Sequence, residues 1–136
     1  MITYSEIDMK VSPSGDLTIA ANGDLDLADA SGVLKQDVTF RLKTDFSDFT
    51  PHPDIGADLY SLVGEQNTKA TSKMGEEKIV YSLVKDARVA SADLVVRGVP
   101  ISLYNIVFYV FIRDGMSVLN VTPDMSFDLN KGILSY

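Results

Sequence analysis

The chain has 136 residues, 46% of them hydrophobic and 23% charged, which is the composition of one globular domain with one core. Lys plus Arg is 12 and Asp plus Glu is 19, so the net charge is −7. That balance disfavours nucleic acid or an anionic membrane as the main partner, because phosphate recognition needs clustered positive charge. The chain has no Cys. Disulfide scaffolds, thiolate zinc sites, iron–sulfur clusters and thiol catalysis are therefore excluded, in keeping with folding in a reducing cytoplasm.

The first thirty residues read as an N-terminal hairpin region. Ile7, Met9 and Val11 alternate with polar residues, and Ser12-Pro13-Ser14-Gly15 turns the chain. Leu17 and Ile19 follow, and Asn22-Gly23 turns it again into Leu25 and Leu27. Apolar positions at period two between turn residues signal hairpins. Gly-Asp-Leu recurs at Gly15 and Gly23, a spacing that suits hairpins rather than a solenoid. No basic region followed by an apolar one opens the chain, so no signal peptide is expected.

A helix is expected from Asp29 or Ser31, both good N-cap residues, with Leu34, Val38 and Leu42 on one face, ending before Ser47. Residues 47–56 hold two prolines, Pro51 and Pro53, and read as a loop. A short helix at 57–63 is closed by Gly64. A longer helix is expected over 71–88, with Ile79, Val80, Leu83, Val84 and Ala87 on its apolar face.

After Arg88 the pattern switches to period two, predicting a strand from Ala90 to Val96, a turn at Gly98-Val99-Pro100 and a strand over 101–112. Its longest apolar run, residues 106–112, is far shorter than the ~20 residues of a membrane-spanning helix. That run is apolar on both strand faces. A central strand in a two-sided core is the expected reason, with the N-terminal hairpin or another subunit as the cover for the second face. Asp114-Gly115 predicts a tight hairpin into a third strand at 116–121, stopped by Pro123. Residues 124–136 form a further strand or a docked tail. The element order predicts an α+β single domain: an N-terminal hairpin, then two main helices packed on a mainly antiparallel sheet.

No catalytic motif stands out. His52 is the one histidine, between two prolines, without a nucleophile motif to pair with, and reads as a loop residue bonded locally. Asp24, Asp26 and Asp29 break the EF-hand pattern at Ala28 and suit a turn and a helix start. Glu76-Glu77 reads as a solvated pair near a helix start. No cofactor or metal is expected.

Gly23-Asp24-Leu25-Asp26-Leu27, then Gly32-Val33-Leu34-Lys35-Gln36-Asp37-Val38 leading to Arg41-Leu42-Lys43-Thr44, then Pro53-Asp54-Ile55-Gly56 and a helix, resembles the small baseplate wedge proteins of contractile phage tails. These are also called sheath initiators, and the family has carried the label lysozyme-like. The resemblance covers residues 6–113 in element order. It implies a structural, non-enzymatic role in the baseplate of a virion tail, assembled in the host cytoplasm. Several copies would form a ring, with the sheath protein, the wedge core and the tail tube as partners. The family's Glu-Pro-Arg motif corresponds to Asp86-Ala87-Arg88, which makes Asp86 and Arg88 the residues for docking to the wedge core. An ordinary last-turn arginine is an equal reading of Arg88. The resemblance also implies a sheet edge for sheath arms. The third strand, Met116, Ser117, Val118, Leu119, Asn120 and Val121, is the expected edge because Pro123 stops it and the 101–112 strand lies centrally; it carries no charge to guard it, so either a partner pairs there or the C-terminal tail covers it. Two other classes compete: a peptidoglycan-cleaving enzyme of the baseplate, suggested by the family label, and a small cytoplasmic adaptor.

Overall fold

The computed structural model describes residues 7–85, 89–114, 116–121, 125–132 and 134–135. In chain order the elements are β1 (Asp8–Met9), β2 (Leu27–Ala28), α1 (Ala30–Lys43), α2 (Lys69–Val84), β3 (Leu94–Pro100), β4 (Asn105–Asp114), β5 (Ser117–Asn120), β6 (Ser126–Asp128) and β7 (Leu134–Ser135). This is an α+β domain with a mainly antiparallel sheet, as the element order predicts.

The N-terminal region is more than a hairpin. Residues 8–12, 16–20 and 24–28 form three extended segments, and each pairs with both others. Val11 opposes Leu17, Ile19 opposes Leu25, and Met9 opposes Leu27, all antiparallel. Each segment changes partner at its middle residue. There the main chain closes a ring: Lys10 N–H donates to Asp26 O at 2.9 Å, Asp26 N–H to Thr18 O at 2.9 Å, and Thr18 N–H to Lys10 O at 3.2 Å. The eight-residue rhythm is thus a pseudo-threefold, three-armed unit, with one arm turning at Gly15 and one at Gly23. Alternation places Met9, Val11, Leu17, Ile19, Leu25 and Leu27 on one face and Asp8, Lys10, Asp16, Thr18, Asp24 and Asp26 on the other.

Gln36 on α1 ties this unit to the body. Its Oε1 accepts from Val11 N–H at 2.9 Å and its Nε2 donates to Met9 O at 3.0 Å. The side-chain amide pairs with the outer edge of the first segment as a strand would.

Asp29 caps α1, its carboxylate accepting from Gly32 N–H at 2.8 Å and from the Ser31 hydroxyl at 3.0 Å. Val33, Leu34, Val38 and Leu42 form its buried face. Thr68 caps α2, whose buried face is unusually small: Thr71, Ser72, Gly75, Ile79, Ser82 and Leu83. That face lies on β3 and β4. Arg41 Nη1 donates to Ser82 O at 3.3 Å and joins the two helices. The helix expected at 57–63 is a single 3-10 turn, Leu59–Leu62, and both its leucines are buried.

In the sheet, β4 is central. β3 pairs along one side, and β5 and β6 pair end to end along the other, with β7 beyond β6. Ile106, Phe108, Val110 and Ile112 are fully buried against the helices with Val96, Met125 and Phe127. The tail therefore contributes strands and core residues.

Three expectations need correction. The strand expected from Ala90 begins at Leu94, after a 3-10 turn at Ser91–Asp93. The turn expected at Gly98-Val99-Pro100 is strand. Pro100 opposes Ile106 in a pair that makes no ladder bond to β4, so its missing N–H costs nothing, and the chain turns at 101–104 instead. Finally, the core is not two-sided. Val107, Tyr109 and Phe111 on the second face are only half-buried, and the N-terminal unit packs on α1 rather than over them.

Candidate interaction surface

Main-chain direction along β4 decides which sheet groups remain available. Phe108 N–H donates to Met125 O at 3.0 Å, and Val121 N–H donates to Val110 O at 2.9 Å. Even-numbered residues of β4 therefore turn toward β5 and β6, and odd-numbered residues turn toward β3. It follows that Leu94, Val96 and Gly98 turn their main-chain groups out of the sheet on the β3 side, although the Leu94 N–H is already taken by Ser91 O. On β5, Ser117 and Leu119 bond to β4, whereas Val118 and Asn120 turn outward.

The two edges are built differently. On β3, Gly98 N–H donates to Glu76 Oε1 at 2.8 Å, and Val96 O accepts from the Arg97 guanidinium at 3.1 Å. With Pro100 beyond them, the upper half of this edge is capped by side chains. Its lower half borders a groove of about 770 Å3 against α2, floored by Val80, Tyr81, Val84, Leu94 and Val95. On β5, no second strand pairs among the described residues. Met116 is fully exposed, Val118 is exposed, and Asn120 Oδ1 is a buried oxygen without a hydrogen-bond partner.

These placements bear on each candidate residue. Met116, Ser117, Val118, Leu119, Asn120 and Val121 do lie together on the outer strand beside β4, although Val121 is buried and belongs to the core. Asp86 and Arg88 lie outside the described residues. Glu76 is not near a helix start but in the middle of α2, where it caps Gly98. Sequence reasoning missed that role, because nothing local links positions 76 and 98. The half-buried outer face of the sheet was also missed as an exposed surface. It carries Tyr109 and Phe111, stacked with ring centroids 6.4 Å apart.

The titratable groups are structural in their geometry. His52 stacks on Phe49 at 5.9 Å, and its main-chain N–H donates to Phe49 O at 3.0 Å. The Gly32 N–H and the Ser31 hydroxyl hold the Asp29 carboxyl below the ordinary range, the expected signature of a cap. Partial burial pushes Asp45 up, the charges of Asp48 and Asp58 add to the shift, and Tyr60 N–H opposes it. Asp45 anchors the 45–58 loop: its N–H donates to Asp48 Oδ2 at 2.9 Å, and its Oδ1 accepts from Tyr60 N–H at 3.4 Å. Among the described residues, no three His, Cys, Asp or Glu side chains converge to hold a metal, and no helix is long and apolar enough to cross a membrane.

Comparisons with protein-family models, with curated protein sequences and with solved structures find no significant match.

Proposed function

We propose that this chain is a structural assembly protein of a contractile phage tail or a related injection machine, a baseplate wedge component that starts sheath polymerisation. The observation that carries the proposal is the outer edge of β5. Its outward main-chain groups, at Val118 and Asn120, have no paired strand among the described residues, and no charged side chain guards positions 116–121. An extended arm of a sheath subunit would add there as a further strand, with main-chain bonds supplying affinity and side-chain fit supplying specificity. The order of weak sequence motifs from Gly23 to Gly56 supports the same reading. In this role the chain works by docking and not by catalysis. Its partners are the sheath protein, the wedge core and the tail tube, in several copies around the tail at the virion baseplate, with assembly in the host cytoplasm.

Removing the chain from the particle that encodes it tests the reading. Baseplates should then carry tube without sheath, and added purified chain should restore sheath growth. Normal sheath in its absence, or failure of immunogold label against the chain to mark the baseplate, would overturn the proposal.

A further inference from the structure

The geometry points to a second docking site: the cleft between the three-armed unit and α1 takes an extended segment of a partner protein in which an acidic side chain lies beside an apolar one. The cleft encloses about 520 Å3 and shares no lining residue with either sheet edge. Val11, Leu27, Ala28 and Phe40 provide its apolar part. Leu27 and Phe40 are 59% and 44% exposed, so the apolar part of the cleft lies open to solvent.

Charge selects the occupant. The chain carries −7, yet the ionisable lining of the cleft is Lys10, Lys35 and Lys43 against Asp29 alone. The Asp29 carboxylate is already held by the cap of α1. Lys35 and Lys10 attract the Asp29 carboxylate, a smaller influence on it than its two cap bonds. Lys10 meets Asp26 at 3.5 Å with both side chains well exposed, a contact worth little and readily exchanged. Lys35, Thr39 and Lys43 follow at four-residue spacing and line one wall over roughly 12 Å of helix. The Gln36 amide, engaged by Met9 and Val11, keeps the two walls at a fixed separation.

A basic wall along an apolar floor suits alternating acidic and apolar side chains of an extended segment. A small anion would leave the floor uncovered. A second copy would bring another −7, and long-range repulsion opposes that approach.

The test uses the full chain and two capped, fluorescein-labelled peptides, Ser-Asp-Leu-Asp-Phe-Glu-Ser and its counterpart with Asn and Gln in place of the acids, followed by anisotropy. The acidic peptide should bind about tenfold tighter than the amide peptide. Raising salt from about 0.05 M to about 0.5 M should abolish the difference. Lys35→Glu and Thr39→Asp lie on the accessible side of α1, so both should fold, and each should weaken the acidic peptide about fivefold or more. Equal affinity for the two peptides, or no effect of either variant, overturns the proposal. Two other results also overturn it in favour of a different occupant. Binding only after removal of residues 1–6 assigns the cleft to the chain's own N-terminal segment. A wild-type dimer in sedimentation that Lys35→Glu dissociates assigns it to a second copy. None of these readouts involves sheath, so they stand apart from the test of the β5 edge.

Discussion

The Phe108 ring occupies the space that a side chain on Gly75 would need. A Cβ built on Gly75 would fall on the ring edge, and one on Gly98 would lie 2.9 Å from Phe108 Cε1. The ring is thus slotted between α2 and β3, and both glycines are there for close approach. Gly75→Ala should cost about 1–3 kcal/mol through overpacking, although alanine is the better helix former. Urea unfolding of the single variant and of Gly75→Ala with Phe108→Leu checks this. The double variant should lose less than the sum of the two singles, since the smaller side chain vacates the clash. Additive losses would mean that Gly75 is needed for another reason.

The contact also shows where sequence reading ends. The helices, the central strand and the β4–β5 hairpin were legible because local signals agree: Asp29 caps, Leu34, Val38 and Leu42 recur at helical spacing, and residues 106–112 form a dense apolar run. Three features were not legible because each depends on pairing with residues outside its own local motif. Gly98-Val99-Pro100 has turn chemistry, but β4 imposes strand geometry and places Pro100 where no ladder bond is lost. The eight-residue rhythm reads locally as two hairpins, while the third pairing of Met9 with Leu27 makes it a closed unit. Glu76 carries no local sign that it caps a strand edge. The β5 strand is legible as an edge from local signals: Pro123 follows it, a denser apolar strand precedes it, and it carries no charge. Which of its residues face outward needed the register with β4.

Gln36 should govern the attachment of the three-armed unit. Its amide both accepts from Val11 and donates to Met9, so Gln36→Glu keeps an acceptor and loses the donor, while Gln36→Ala loses both. Each lost bond should cost about 1 kcal/mol. Hydrogen exchange should quicken at the amides of Lys10, Thr18 and Asp26 in the order wild type, Gln36→Glu, Gln36→Ala. Exchange at Ile106 and Phe108, deep in the core, should be unchanged. Uniform quickening across both groups would show that the N-terminal unit is part of one cooperative core.

Asp45 should make the domain less stable when ionised. Its folded-state carboxyl is pushed up by burial and by Asp48 and Asp58, so its contribution favours folding at low pH and is lost as pH rises through the folded value, above 3.8. Asp45→Asn should therefore raise Tm at neutral pH, with the gain shrinking as the medium is acidified and the wild-type carboxyl becomes neutral. Asp29 has the opposite sign. Its folded value is lowered, so its contribution is present above the ordinary carboxyl value and disappears as pH falls below it. Asp29→Ala should lower Tm at neutral pH and approach wild type in strong acid. Thermal melts of the three proteins across pH check both signs.

The outward main-chain groups of β5 give the sheath-arm proposal a residue-level test. Proline removes an N–H, and the effect depends on which way that N–H points. At Val118 and Asn120 it points out of the sheet, so Val118→Pro and Asn120→Pro should leave the bonds between β4 and β5 intact and fold with a loss of about 1 kcal/mol or less. At Ser117 and Leu119 the N–H lies in the ladder with β4, so proline there should destabilise the hairpin and serves as the control for register. Circular dichroism and urea unfolding separate the two classes. Baseplates carrying the two folded variants should then bind sheath about tenfold more weakly or fail to start it, because the added strand loses an acceptor's partner at the centre of its contact. A conservative change that keeps the main chain intact, Val118→Thr, should start sheath normally, which excludes loss of the valine side chain as the cause. If Val118→Pro and Asn120→Pro fold and sheath grows on them at the wild-type rate, strand addition at β5 is wrong. The Val96 N–H, which turns outward on β3 beside the groove against α2, is then the group to test, with proline at Val96 as the first variant.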